Sequence, residues 1–94
     1  MEMYNPPHPG QLLLEGYMKP LNLSISEFAL KLGMSRKCLS EIINGKARIS
    51  TETALKIEKS LKSRAGFWLD LQQEYDLWQA RQRVNLDNVE VIAL

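Results

Sequence analysis

Four basic side chains, Arg36, Lys37, Lys46 and Arg48, crowd the stretch from Ser35 to Arg48, where Glu41 is the single acid. Ser35, Ser40 and Asn44 lie among them. Guanidinium, ammonium, hydroxyl and amide groups in one short segment suit a polyanion. Cations and backbone N–H groups hold phosphate, while forked polar groups read base edges. Arg36 has the shape to grip guanine, and Asn44 the shape to grip adenine. The opposite balance holds at the other end. Residues 66–94 carry Asp70, Glu74, Asp76, Asp87 and Glu90 against Arg81 and Arg83. The net charge of +1 therefore averages a basic block and an acidic end, as expected of one anion-binding face and one different face.

Positioning these side chains falls to helices. Ser24, Ser26 and Glu27 open a helix whose inward residues are Ile25, Phe28, Ala29 and Leu32, and Gly33 stops it. Ser35 caps the next helix, which runs to Asn44-Gly45 with Cys38, Leu39, Ile42 and Ile43 inward. Only Gly33 and Met34 separate the two, so they cross steeply, as in a helix-turn-helix unit over residues 25–44. Ala29 supplies the small residue at the crossing and Gly33 the turn. Leu39 and Ile42 face back, with Phe28, Leu32 and Met34 completing the inner side. Ser35, Arg36, Lys37, Ser40, Glu41 and Asn44 then point outward, all polar. With Ser26 at the preceding helix start and Lys46 and Arg48 in the following loop, they form the expected nucleic-acid contact set.

The remaining chain supports this unit. Residues 1–10, with Pro6, Pro7 and Pro9, form an extended lead-in, and His8 reads as an end-cap or surface residue. Leu12, Leu13, Leu14, Tyr17, Met18 and Leu21 mark a first helix ending near Pro20. A fourth helix starts at Ser50 or Thr51 and carries Ala54, Leu55, Ile57 and Leu61. A fifth, capped by Ser63, spans about Ala65 to Gln82. Its Trp68, Leu71, Tyr75 and Trp78 recur at helical spacing, and a homodimer interface is expected there. The tail, residues 83–94, alternates Val89, Val91 and Ala93 with Glu90, Ile92 and Leu94, the pattern of a short strand. The expected fold is all-α: one five-helix, lambda-repressor-like domain spanning residues 1–94, with a short tail.

Several functions are excluded on composition and spacing. One histidine and one cysteine offer no nucleophile pair and no metal spacing, and no Gly-rich phosphate loop is present. No enzyme, metal or cofactor is expected, and Asp70, Glu74 and Asp76 beside Gln72 and Gln73 read as solvated charge. The longest apolar run, Val91–Leu94, is far too short for a membrane span. The N-terminus has no signal-peptide pattern, and a lone Cys38 fits a reducing cytoplasm.

The order of these residues resembles a known family. His8-Pro9-Gly10, Tyr17-Met18-Lys19-Pro20-Leu21, Leu32-Gly33-Met34-Ser35-Arg36, Asn44-Gly45-Lys46 and Ile49-Ser50 are similar to HigA-type antitoxins. So are Phe67-Trp68-Leu69-Asp70-Leu71-Gln72 and Tyr75-Asp76-Leu77-Trp78. These proteins, also described as virulence-associated protein I-like, fall within the Xre, Cro/C1-type helix-turn-helix group. The resemblance covers roughly residues 8 to 80. It implies a homodimer on a palindromic double-stranded operator before its own operon, and a ribonuclease toxin partner encoded beside it. Cys38 departs from the threonine common in the family, which removes a hydroxyl contact there. A stand-alone regulator without a toxin shares the same pattern, and a protein-binding module could use the same helices without DNA.

Overall fold

The computed structural model describes residues 5–93. Helix α1 (Pro9–Leu12) starts where His8 Nδ1 accepts the Gly10 N–H at 3.0 Å, with Pro9 pre-set for the first turn. It runs directly into a wider π-helical segment (Leu13–Met18), closed by a bond from Lys19 N–H to the Leu14 carbonyl. Hydrogen bonds spanning five residues bring side chains five apart onto one face. Leu13 and Met18 are such a pair, and both are buried. Leu21, expected on that face, is exposed, because the chain has already left the helix.

Helix α2 (Ile25–Leu32) carries a complete capping box. Glu27 N–H donates to Ser24 Oγ at 3.1 Å, and Ser24 N–H donates to Glu27 Oε1 at 2.9 Å. The Ser24 donors hold the Glu27 carboxyl below the usual carboxylate range. Gly33 ends α2 with φ +69°, a left-handed conformation open to glycine at no steric cost. Helix α3 (Arg36–Ile43) is capped by Ser35 Oγ, which accepts the Cys38 N–H at 3.0 Å. Helix α4 (Thr51–Leu61) is capped in the same way by Ser50 on Thr53 N–H. Helix α5 (Ala65–Arg83) is the longest.

The core gathers Leu13, Met18, Phe28, Ala29, Leu32, Leu39, Ile42, Ile43, Ile49, Ala54, Ile57 and Trp68. The π-helical segment and helices α2 to α5 all contribute, and α4 and α1 both pack on α5. The radius of gyration is 16.0 Å, against about 12 Å for a compact chain of this length. The long axis is 53 Å against 23 and 21 Å for the other two, and residues 81–93 at the end of α5 and in the tail are all exposed.

Four further expectations are corrected. Cys38 is exposed, not inward. Leu39, Ile42 and Ile43 already fill the i, i+3, i+4 stripe of α3, and Cys38 lies about 100° around the helix from Leu39. Ser63 does not cap α5. Glu58 Oε2 accepts the Ala65 N–H at 2.8 Å, while Ser63 Oγ accepts from Trp68 Nε1 at 2.9 Å. Trp68 is 0% exposed and so lies in the monomer core, out of a partner's reach, and Leu71 packs half-buried against that core. The tail forms no strand among the described residues; a lone segment has no ladder to join, and Val91 is 98% exposed. Leu94 and the lead-in residues Met1–Tyr4 lie outside the described residues.

Candidate nucleic-acid interface

The crossing of α2 and α3 is built as the residue types require. Ala29 is buried at the crossing, and its carbonyl accepts the Met34 N–H at 3.0 Å, which closes the turn. Leu39 and Ile42 are buried beneath it. With this side packed, the polar side of α3 faces outward. Ser35, Arg36, Lys37 and Asn44 are exposed, while Ser40 and Glu41 are half-buried.

Hydrogen bonds join most of this surface. Arg36 Nε donates to Ser26 Oγ at 3.1 Å, tying the first turns of α2 and α3 together. Among the described residues only Nε is used, which leaves the two terminal nitrogens of the Arg36 fork for a ligand. Asn44 Nδ2 donates to Ser40 Oγ at 3.2 Å one turn earlier. Beyond α3 the chain folds back on itself. Lys46 N–H and Ala47 N–H both donate to the Glu41 carbonyl, at 2.8 and 3.1 Å. Gly45 makes this turn at φ +75°. Lys46 is thereby held beside the end of α3. The arrangement gathers guanidinium, ammonium, hydroxyl and amide groups on the polar side of α3, the set that binds phosphate and base edges.

Arg48, in the loop after α3, is tethered to α5. Its Nη2 and Nε donate to Asp76 Oδ2 on α5 at 2.7 and 3.3 Å. This ion pair is largely exposed, so it orients Arg48 more than it stabilises the fold. Asp76 Oδ1 in turn accepts from Gln72 Nε2 at 2.9 Å, and Gln72 Oε1 accepts the Ile49 N–H at 2.7 Å. Reading Gln72 and Asp76 as solvated surface therefore missed two residues that tie the basic loop to α5. Gln72 is 1% exposed. The signal available was its place four residues after Trp68, on the buried stripe of α5.

His8 closes the same junction. Its ring meets Tyr75 edge-on at 4.8 Å and lies against Gly45. Burial holds the imidazole below its ordinary value, against the opposing effects of a hydrogen bond to the Ala47 backbone and the Asp76 charge. A neutral ring is what the cap requires, since Nδ1 must accept from Gly10.

Comparison with known proteins agrees with this geometry. The profile of the helix-turn-helix family matches residues 14–68. Virulence-associated protein A of Dichelobacter nodosus is 52% identical over 77 residues, covering 81% of this chain and 76% of that protein. Antitoxin HigA-1 of Vibrio cholerae is 30% identical over 79% of this chain and 70% of its own length. The solved Pseudomonas aeruginosa antitoxin HigA with the higBA promoter superposes with a TM-score of 0.83 at 26% identity, covering 95% of this chain and 99% of that one. The resemblance in residue order, the crossing of α2 and α3 and these relatives agree, and the chain belongs to the helix-turn-helix family, among its HigA-type and virulence-associated members, a class of regulators and antitoxins rather than enzymes.

Proposed function

We propose that this chain is a DNA-binding antitoxin that represses its own operon as a homodimer and neutralises a ribonuclease toxin encoded beside it. The observation that carries the DNA reading is the Ser26–Arg36 bond, which unites the starts of α2 and α3 into one polar surface with the Arg36 fork free. Ser26, Ser35, Lys37, Lys46 and Arg48 then bind phosphates, and Arg36, Ser40, Glu41 and Asn44 meet base edges in the major groove. The fold shared with an antitoxin solved on promoter DNA supports this reading.

Dimerisation is assigned to the outer half of α5 and the residues just beyond it. Leu77, Val84 and Leu86 are exposed, and with Ala80 and Arg81 they line a shallow hollow of about 430 Å³. Exposed apolar patches of this kind mark interfaces. Tyr75 and Trp78, both half-buried, flank that region, whereas Trp68 is spent on the core. The acidic end of the chain suits a basic ribonuclease.

Binding to the DNA immediately upstream of the gene tests the function. At physiological salt the protein should prefer that fragment over unrelated DNA of equal length by at least about 10³-fold. Sedimentation should give about twice the 10.8 kDa monomer mass, and co-expression with the neighbouring gene should relieve its toxicity. Equal affinity for both DNAs would refute the operator reading. Toxicity that persists without co-purification would reduce the function to a stand-alone regulator.

A further inference from the structure

We infer that Gln72, a buried neutral residue of α5, is a positioning residue for DNA binding: it sets the loop that presents Lys46 and Arg48 to phosphate. The inference rests on the DNA reading above. The loop is pinned at both ends. At its start, the Lys46 and Ala47 N–H groups donate to the Glu41 carbonyl at the end of α3. At its finish, the Ile49 side chain is 0% exposed in the core and its N–H donates to Gln72 Oε1 at 2.7 Å. Lys46 stands at the first anchor and Arg48 between the two.

Glutamine meets both demands of the position. Its carbonyl oxygen accepts from Ile49, and its amide nitrogen donates to Asp76 Oδ1 at 2.9 Å. Asp76, so oriented, turns Oδ2 to Arg48. One buried side chain thus fixes the backbone on one side of Arg48 and, through Asp76, its guanidinium. A glutamate would set a second carboxylate against Asp76. An apolar residue would strand the buried Ile49 N–H, and the loop would have to open to find water. Arg48 keeps 61% of its side chain exposed, so the clamp orients the cation without hiding it. A loop held in one conformation meets phosphates without a further ordering cost.

The test uses the full chain with Gln72→Met, titrated with a short random-sequence duplex across about 50–200 mM salt, where phosphate contacts supply the binding. Circular dichroism establishes that the variant is folded at the assay temperature. The expected result is an affinity about three- to tenfold lower and a salt slope shallower by about one to two. In a Lys46→Ala/Arg48→Ala background the same substitution should cost nothing further. Gln72→Asn, one methylene short of Ile49, should move both readouts in the same direction and serves if Gln72→Met does not fold. A lower melting temperature with unchanged affinity and slope would overturn the inference, leaving Gln72 a purely structural residue. Equal losses in both backgrounds would overturn it too, since Gln72 would then act elsewhere than through the loop. If Lys46→Ala/Arg48→Ala itself leaves binding and slope at wild-type values, the DNA reading of the loop fails, and the inference falls with it for that separate reason.

Discussion

Trp68→Ala should destabilise the chain by about 3–5 kcal/mol, the range for removing a large buried aromatic side chain. Trp68 heads the fully buried side chains at 0% exposure. Its ring lies 5.6 Å from Tyr17 and 5.2 Å from Phe67, the latter edge-on, so it joins α5 to the π-helical segment. Its Nε1 is satisfied by Ser63 Oγ, and alanine would lose that bond as well. For a domain of this size each kcal/mol shifts the melting temperature by about 4–8 °C. Since small domains hold only about 5–15 kcal/mol in all, this loss removes a large part of the reserve. Thermal melting followed by circular dichroism measures it. A shift of only a few degrees would contradict the placement of Trp68 in the monomer core.

Gly10→Ala should be the second most damaging change, at about 1–3 kcal/mol or more, the cost of forcing a methyl group into filled space. A Cβ on Gly10 would stand 1.9 Å from the Ile42 carbonyl oxygen and 2.7 Å from its carbon. That obstacle is backbone at the end of α3, not the tip of a flexible side chain, so α1 or the last turn of α3 must move. Either movement disturbs the turn that carries Ser40, Glu41 and Asn44. Gly16→Ala is the matched control. Its nearest neighbour is the far end of the Leu12 side chain at 3.0 Å, which can swing aside. Comparative melting should show Gly10→Ala far less stable than wild type and Gly16→Ala near it. Equal stability of the two variants would contradict the close approach of α1 to α3.

What could be read in the sequence was local. The caps at Ser24, Ser35 and Ser50 act over three residues, and the structure has each of them. Gly33, Ala29, Leu39 and Ile42 announce the crossing because its sterics demand those types at those offsets. What was missed depends on partners distant in the chain. Gln72 and Asp76 look like surface residues until Ile49 and Arg48, 23 and 28 residues away, are brought against them. The same holds for Trp68. Helical spacing shows that α5 has an apolar stripe, but not which part of it Tyr17 and the core cover. Cys38 neighbours the inner stripe of α3, but Leu39, Ile42 and Ile43 already fill that stripe and leave the thiol exposed. The alternation in the tail is a strand pattern without a partner strand, and pattern alone forms no sheet.

The most direct test of the account compares Arg36→Ala and Lys46→Ala on a set of duplexes that vary each base pair of the operator, at several salt concentrations. If α3 lies in the major groove with the free fork of Arg36 on a base, Arg36→Ala should lose about 1–3 kcal/mol on the cognate site and relax preference at a single base pair. Lys46→Ala should weaken all sequences alike and reduce the salt slope by about one. Variants that match wild type in affinity, base preference and salt slope would contradict the claim that this face of the helix-turn-helix reads DNA.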